Sequence, residues 1–251
     1  MKYYGVTDRG KVRKTNQDSY VIATSQAGDV FAIVCDGIGG GKGGDVASRL
    51  AITYFSMSFS LNRGFKDEDA LRAWLNKSVE GANKEIYKTG SETNGLKGMG
   101  TTLTGVLLTS VGRYIVNIGD SRVYGYYKDG TFKCLTSDHT LVNDMVKHGD
   151  LTKEEAKTYP RKNVLTNALG VWKKVRYDLT RCREEINGFL LCSDGLHGYV
   201  DEEVIRKIVI DRESDPTLRV RRLYKAAMEA GGYDNVTAIL IDLEGDETNG
   251  E

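Results

Sequence analysis

The sequence predicts an α+β layered sandwich built on mainly antiparallel sheets, and three observations carry that expectation. Nine short apolar runs rich in β-formers recur along 251 residues, too many for a helical bundle. Several are joined by links such as SVGR at 110–113 and the GDS corner at 119–121, and parallel neighbours would need a crossover of a dozen residues or more. Helical periodicity is grouped between runs of strands and does not alternate with them one for one.

The elements follow in order. Strands are expected at YYGVT (3–7), DSYVIA (18–23), VFAIVC (30–35), TTLTGVLLTS (101–110) and RYIVNIG (113–119). Four more are RVYGYY (122–127), VRYDLTR (175–181), GFLLCS (188–193) and VTAILIDL (236–243). Apolar residues at helical spacing mark three helices, over 45–59, 67–88 and 215–230. Residues 137–170 are polar, carry two short helical patterns and break the strand rhythm, so they read as an insertion or flap over one end of the sheet or, equally, as an ordinary surface connection. No repeat, low-complexity block or linker divides the chain, and only Pro160 and Pro216 occur, so a single domain over 1–251 is the simplest organisation.

Composition excludes some classes of function. The 35 basic and 35 acidic residues cancel, which argues against nucleic acid or an anionic membrane as the main partner and makes any charge-driven recognition local. Cys35, Cys134, Cys182 and Cys192 form no C-x-x-C pair, and Cys35 and Cys192 sit in apolar runs as small buried residues. No apolar stretch approaches the ~20 residues that span a bilayer, and the first residues lack a signal-peptide core. The expectation is a monomer in the reducing cytoplasm.

The stretch FAIVCDGIGGGKGGDVAS at 31–48 raises the question of a nucleotide cradle. Its glycines meet G-x-G-x-x-G almost by accident, and no acidic residue stands about 20 positions on to hold a ribose. Lys42 is followed by Gly43 and not by Ser or Thr, and Asp36 stands where a P-loop would begin with glycine. An aspartate beside a bare phosphate is repelled unless a cation lies between them. Asp120 in NIGDSR and Asp194 in LLCSDGL also end apolar strands, and Asp234 in GGYDNVTAIL precedes one. In antiparallel sheets the end of one strand lies beside the start of its neighbour, so all four can share a rim. Four such carboxylates repel by several kcal/mol per close pair at an effective dielectric of about 20, and divalent metal removes the conflict. Oxygen ligands alone point to Mg²⁺ or Mn²⁺. Taken singly, each aspartate is an ordinary turn residue.

The ordered motifs VRKTNQDSY, VCDGIGGGKGGDVAS, GMGTTLTGVLL, NIGDSRVYGY, LTSDHTLV, NVLTNALG, LLCSDGLHGYV and GGYDNVTAIL cover nearly the whole chain. Together they resemble the type 2C, or PPM, metal-dependent serine/threonine protein phosphatases in their bacterial form. The resemblance implies a four-layer α-β-β-α sandwich, two central antiparallel sheets flanked by helices, with a two-metal centre at one end. It implies that Asp36 bridges two ions, Gly37 offers its carbonyl to one, and Asp194 and Asp234 ligate the other. Asp120, sharing Asp194, resembles the ligand of a weaker third ion, and Arg13 the arginine that binds phosphate. Asp18 would accept a hydrogen bond from the attacking water, which in the family bridges the metals.

Two positions depart from the pattern. Gln17 stands where some relatives carry glutamate, and Ile38 where eukaryotic relatives carry a histidine proposed to protonate the leaving alkoxide. Ile38 cannot donate that proton, so water must. Ser193 and Asn235 read as residues that orient the ligands, Thr101 and Thr102 as a plain strand start, and His139, His148 and His197 as satisfied polar residues. The expected reaction is direct hydrolysis of phosphoserine and phosphothreonine in proteins that a serine/threonine kinase has modified. The rival is a catalytically silent phosphopeptide-binding module, which would be expected to lack a metal aspartate.

Overall fold

The computed structural model describes residues 1–39, 43–182 and 185–243, so Gly40, Gly41 and Lys42 of the glycine loop lie outside the described residues. The chain opens with β1 (Lys2–Asp8), β2 (Ser19–Thr24), β3 (Val30–Cys35) and the two-residue β4 (Gly37–Ile38). Two long helices follow, α1 (Gly44–Ser60) and α2 (Glu68–Glu92), the second started by the Asp67 side chain accepting from Ala70 N. Next come β5 (Gly100–Thr101), β6 (Leu103–Thr109), β7 (Gly112–Ile118), β8 (Arg122–Tyr127) and β9 (Phe132–Cys134). The 137–170 segment contains the two short helices expected of it, α3 (Leu141–His148) and α4 (Lys153–Thr158). The chain closes with β10 (Asp178–Arg181), β11 (Ile186–Cys192), α5 (Asp194–His197), α6 (Glu202–Val209), α7 (Pro216–Glu229) and β12 (Val236–Asp242).

One sheet has the order β1-β12-β11-β8-β9 and the other β10-β7-β6-β3-β2, with every recorded pairing antiparallel. The period of two along each strand explains why these strands read as unbroken apolar runs. On β3, Phe31, Ile33 and Cys35 face α1 and α2, while Ala32 and Val34 face the opposite sheet. On β11, Leu190 and Cys192 pack in the layer with α6 and α7, while Phe189 and Leu191 meet β3 and β6 residues between the sheets. Both faces of each central strand are therefore buried, and the layers run helix, sheet, sheet, helix. This is the α+β sandwich that the strand count and short links predict.

Helix α6 is absent from the three helices expected. Its eight residues carry Ile205, Ile208 and Val209 inward behind an Asp201 cap, a pattern too short to separate from a strand by periodicity. The strand expected over 101–110 is also divided, with Thr102 between β5 and β6. Among the described residues, no helix is long and apolar enough to cross a membrane.

Candidate active site

Strand register gathers the aspartates. Ser19 pairs with Cys35, and Cys192 pairs with both Arg122 and Ala238, so the start of β2, the ends of β3 and β11 and the starts of β8 and β12 lie along one rim. Asp18, Asp36, Asp120, Asp194 and Asp234 all extend from these positions. Asp18 ties the sheets together: its Oδ2 accepts from Ser193 Oγ and Thr237 Oγ1, both at 2.7 Å, while its buried Oδ1 has no partner.

Asp36 is clamped through its backbone. Its N–H donates to Thr102 Oγ1 at 2.8 Å, and its carbonyl accepts from Thr102 N and Thr101 Oγ1, both at 2.9 Å. Thr101 and Thr102 thus do more than start a strand. Gly37 follows without room for a side chain: a Cβ there would lie 2.1 Å from Gly44 O, where α1 begins. Gln17 acts through its main chain, its carbonyl accepting from Gly37 N and Ser48 Oγ and its N–H donating to Asn235 Oδ1. Asn235 also donates from Nδ2 to the Arg9 and Thr15 carbonyls, each at 2.9 Å, which pins the turn carrying Asp234 to the segment carrying Arg13. Gly195 completes this packing, since a Cβ there would meet Asn235 O at 1.9 Å.

The electrostatics follow from crowding. Burial first, then the charges of Asp18, Asp194 and Asp120, holds the Asp36 carboxyl well above the usual carboxylate range. Asp194 is itself raised by burial and by Asp234. Burial pushes Asp18 up to about 7 despite its two hydroxyl donors, and burial with the Asp194 and Asp138 charges pushes Asp120 to about 7. Arg13 answers part of this charge by donating from Nη2 to Asp234 Oδ2 at 2.6 Å. Among the described residues, no three acidic, histidine or cysteine side chains are already closed around an ion position. The side chains are collected, with Asp234 held by the Arg13 guanidinium. An all-oxygen donor set, carboxyls held above their normal range by burial and by one another, and the orphaned Asp18 Oδ1 fit a hard divalent cation.

Asp120 sits at the β7–β8 corner beside a second set of contacts. His197 Nε2 donates to the Asp120 carbonyl at 3.0 Å, and burial with the nearby Arg122 charge lowers this histidine to about 4, keeping it neutral. Arg122 grips Asp138 through Nε and Nη2, at 3.0 and 2.7 Å. His139 is buried, accepting at Nδ1 from Gly119 N and bonded through Nε2 to Asp178. A cleft of about 580 Å³ lies between Asp120, Asp194 and the 137–170 segment, with Lys153 and Lys162 on its wall. A larger cavity of about 840 Å³ opens at the opposite end of the sandwich and contains none of the five aspartates.

Sequence reasoning missed Thr237 and Thr7 and took Thr102 for a strand start. Thr237 and, behind it, Thr7 at 2.8 Å and Asn16 form a polar chain leading to Asp18, and Thr102 continues through Ser121 at 2.9 Å. The available signal was a hydroxyl inside an apolar strand, as in VTAILIDL.

A sequence profile described as Protein phosphatase 2C matches residues 9–228. The serine/threonine phosphatase stp of Listeria monocytogenes is 35% identical over 241 residues, covering 95% of this chain and 94% of that protein. The protein phosphatase PhpP of Streptococcus pneumoniae is 34% identical, covering 95% and 96%. The crystal structure of the serine/threonine phosphatase Stp1 from Staphylococcus aureus superposes with a TM-score of 0.89 at 32% identity, covering 97% of this chain and 95% of that one. The profile takes in Asp18, Asp36, Asp120 and Asp194, the relatives and the superposed structure cover nearly the whole chain, and the chain belongs to the protein phosphatase 2C family.

Proposed function

We propose that this chain is a metal-dependent phosphatase that hydrolyses phosphoserine and phosphothreonine in proteins. Membership of the family implies dependence on divalent metal, and the names of the relatives support the serine/threonine class. The observation that carries the reading is five aspartates from separate strands on one rim, with Arg13 reaching the same rim.

In this reading Asp36, the Gly37 carbonyl, Asp194 and Asp234 are the groups that would hold two divalent ions. Asp120 with Asp194 offers a weaker third position. When bound, Mn²⁺ or Mg²⁺ supplies Lewis acidity toward water and toward phosphoryl oxygen. Arg13, released from Asp234, holds two phosphoryl oxygens with its fork of N–H donors. Asp18 Oδ1 accepts a hydrogen bond from the attacking water and so aims it in line with the leaving oxygen. Ile38 has no proton to give, so the departing serine or threonine alkoxide takes its proton from solvent. No cysteine is required, and burial pushes the Cys35 and Cys192 thiols up, away from the reactive thiolate. The chain works as one domain, monomeric and cytoplasmic, with 137–170 as a flap beside the cleft and kinase-modified proteins as substrates.

The test is release of phosphate from a phosphothreonine peptide. Activity is expected with Mn²⁺ or Mg²⁺, to vanish with EDTA, and to fall by at least about 100-fold in Asp194→Ala. Hydrolysis that survives chelation overturns the reading.

A further inference from the structure

Two exposed aromatic rings stand beside the acidic rim without belonging to it. Tyr199 follows α5, the helix that begins at Asp194, and Tyr233 immediately precedes Asp234. Their ring centroids are 5.6 Å apart, and the side chains remain 42% and 54% exposed. Tyr233 adjoins the rim aspartate Asp234 in the chain, and the Tyr199 hydroxyl is raised by burial and then by the Asp234 and Asp194 charges. Tyr199 also lines the cleft that holds Asp120 and Asp194.

These rings are held in place. Gly231 has φ 123°, and a Cβ there would lie 2.2 Å from the Tyr233 ring, so the ring lies over a position only glycine leaves open. The Gly232 carbonyl accepts from Lys11 N at 2.8 Å and Val12 N at 3.3 Å, and Lys11 Nζ donates to Met228 O at 2.7 Å. The loop bearing Tyr233 is thus tied to the segment bearing Arg13, and Val12 in that segment is 61% exposed. Each residue leaves about half of its surface in water. The two ring planes, inclined at 40°, form a shallow apolar platform whose binding requires little further ordering.

We propose that Tyr199 and Tyr233 form a specificity platform that takes an apolar side chain flanking the phosphorylated residue of a peptide substrate. The inference rests on the phosphatase reading and deepens it. Arg13 and the rim hold the phosphoryl group, and the rings hold the neighbouring residue.

The experiment compares p-nitrophenyl phosphate with two phosphothreonine peptides that carry either leucine or glycine on both sides of the phosphothreonine. The wild-type chain with Mn²⁺ is expected to show a KM about fivefold lower for the leucine peptide. In Tyr199→Ala/Tyr233→Ala that advantage disappears while kcat for the peptide holds, and the KM for p-nitrophenyl phosphate does not follow. Tyr199→Phe/Tyr233→Phe retains the preference, because the ring faces remain. The proposal is overturned if the wild type treats the two peptides alike, or if the alanine variant changes all three substrates in the same proportion. Absence of hydrolysis of every substrate by the wild type is a different result, and it removes the phosphatase reading itself.

Discussion

Asp18 is the residue at which burial, hydrogen bonding and charge oppose one another most openly. Its carboxyl is 6% exposed, holds two hydroxyl donors on one oxygen and none on the other, and titrates near 7 instead of its ordinary 3.8. Between those values the folded chain keeps a proton that the unfolded chain has released, so this group's contribution to stability falls as pH rises from about 4 through about 7. His197, lowered from 6.5 to about 4, has the opposite slope, because the unfolded chain binds its proton first as pH falls. The variant Asp18→Asn separates the two, since its amide oxygen still accepts from Ser193 and Thr237. In EDTA, its melting temperature relative to wild type should be higher at pH 8 than at pH 5; an offset independent of pH contradicts this account. Ser193 Oγ donates to Asp18 and accepts from Thr237 N, so Ser193→Ala should weaken Mn²⁺ binding about 10- to 100-fold by calorimetry. At this scale the sequence was partly legible. Asp36 and Asp194 announce themselves as charges ending apolar runs, whereas Thr237 looks like any β-branched strand residue until its neighbour across the sheets is known.

Among the elements, strands were read more reliably than helices because most are buried on both faces and bounded by turn residues. VFAIVC at 30–35 and RVYGYY at 122–127 coincide with β3 and β8. Helix α6 escaped because eight residues give barely two turns of pattern. The short helix α5 is likewise defined by what it packs against: Gly195 faces the Asn235 carbonyl, and Leu196 enters the core with α7. Gly195→Ala would force that carbonyl away at a cost of about 1–3 kcal/mol. The melting temperature is expected to drop by roughly 3–10 °C, with activity falling further than stability because Asp194 and Asp234 both shift. An unchanged melting curve would show that the contact yields freely. The same close fit explains why the DGLHGYV and GGYDNVT motifs must act together, one supplying a glycine and the other the carbonyl it admits.

On the scale of the whole molecule, two antiparallel sheets face to face bring the ends of five chain segments to one rim, and the helices on either side keep both sheets dry. That arrangement was legible as a layered sandwich from strand number and link length, while the order of strands was not, because β1 pairs with β12 across nearly the full chain. The resulting carboxyl cluster is strained by its own charge, and cations are what relieve it. The most direct measurement is anomalous diffraction from a crystal of this protein grown with Mn²⁺. The account predicts at least two manganese peaks bordering Asp36, reached also by Asp194 and Asp234, with the Arg13 guanidinium withdrawn from Asp234. Peaks confined to other carboxylates, or an unchanged Arg13–Asp234 contact at saturating metal, would contradict it.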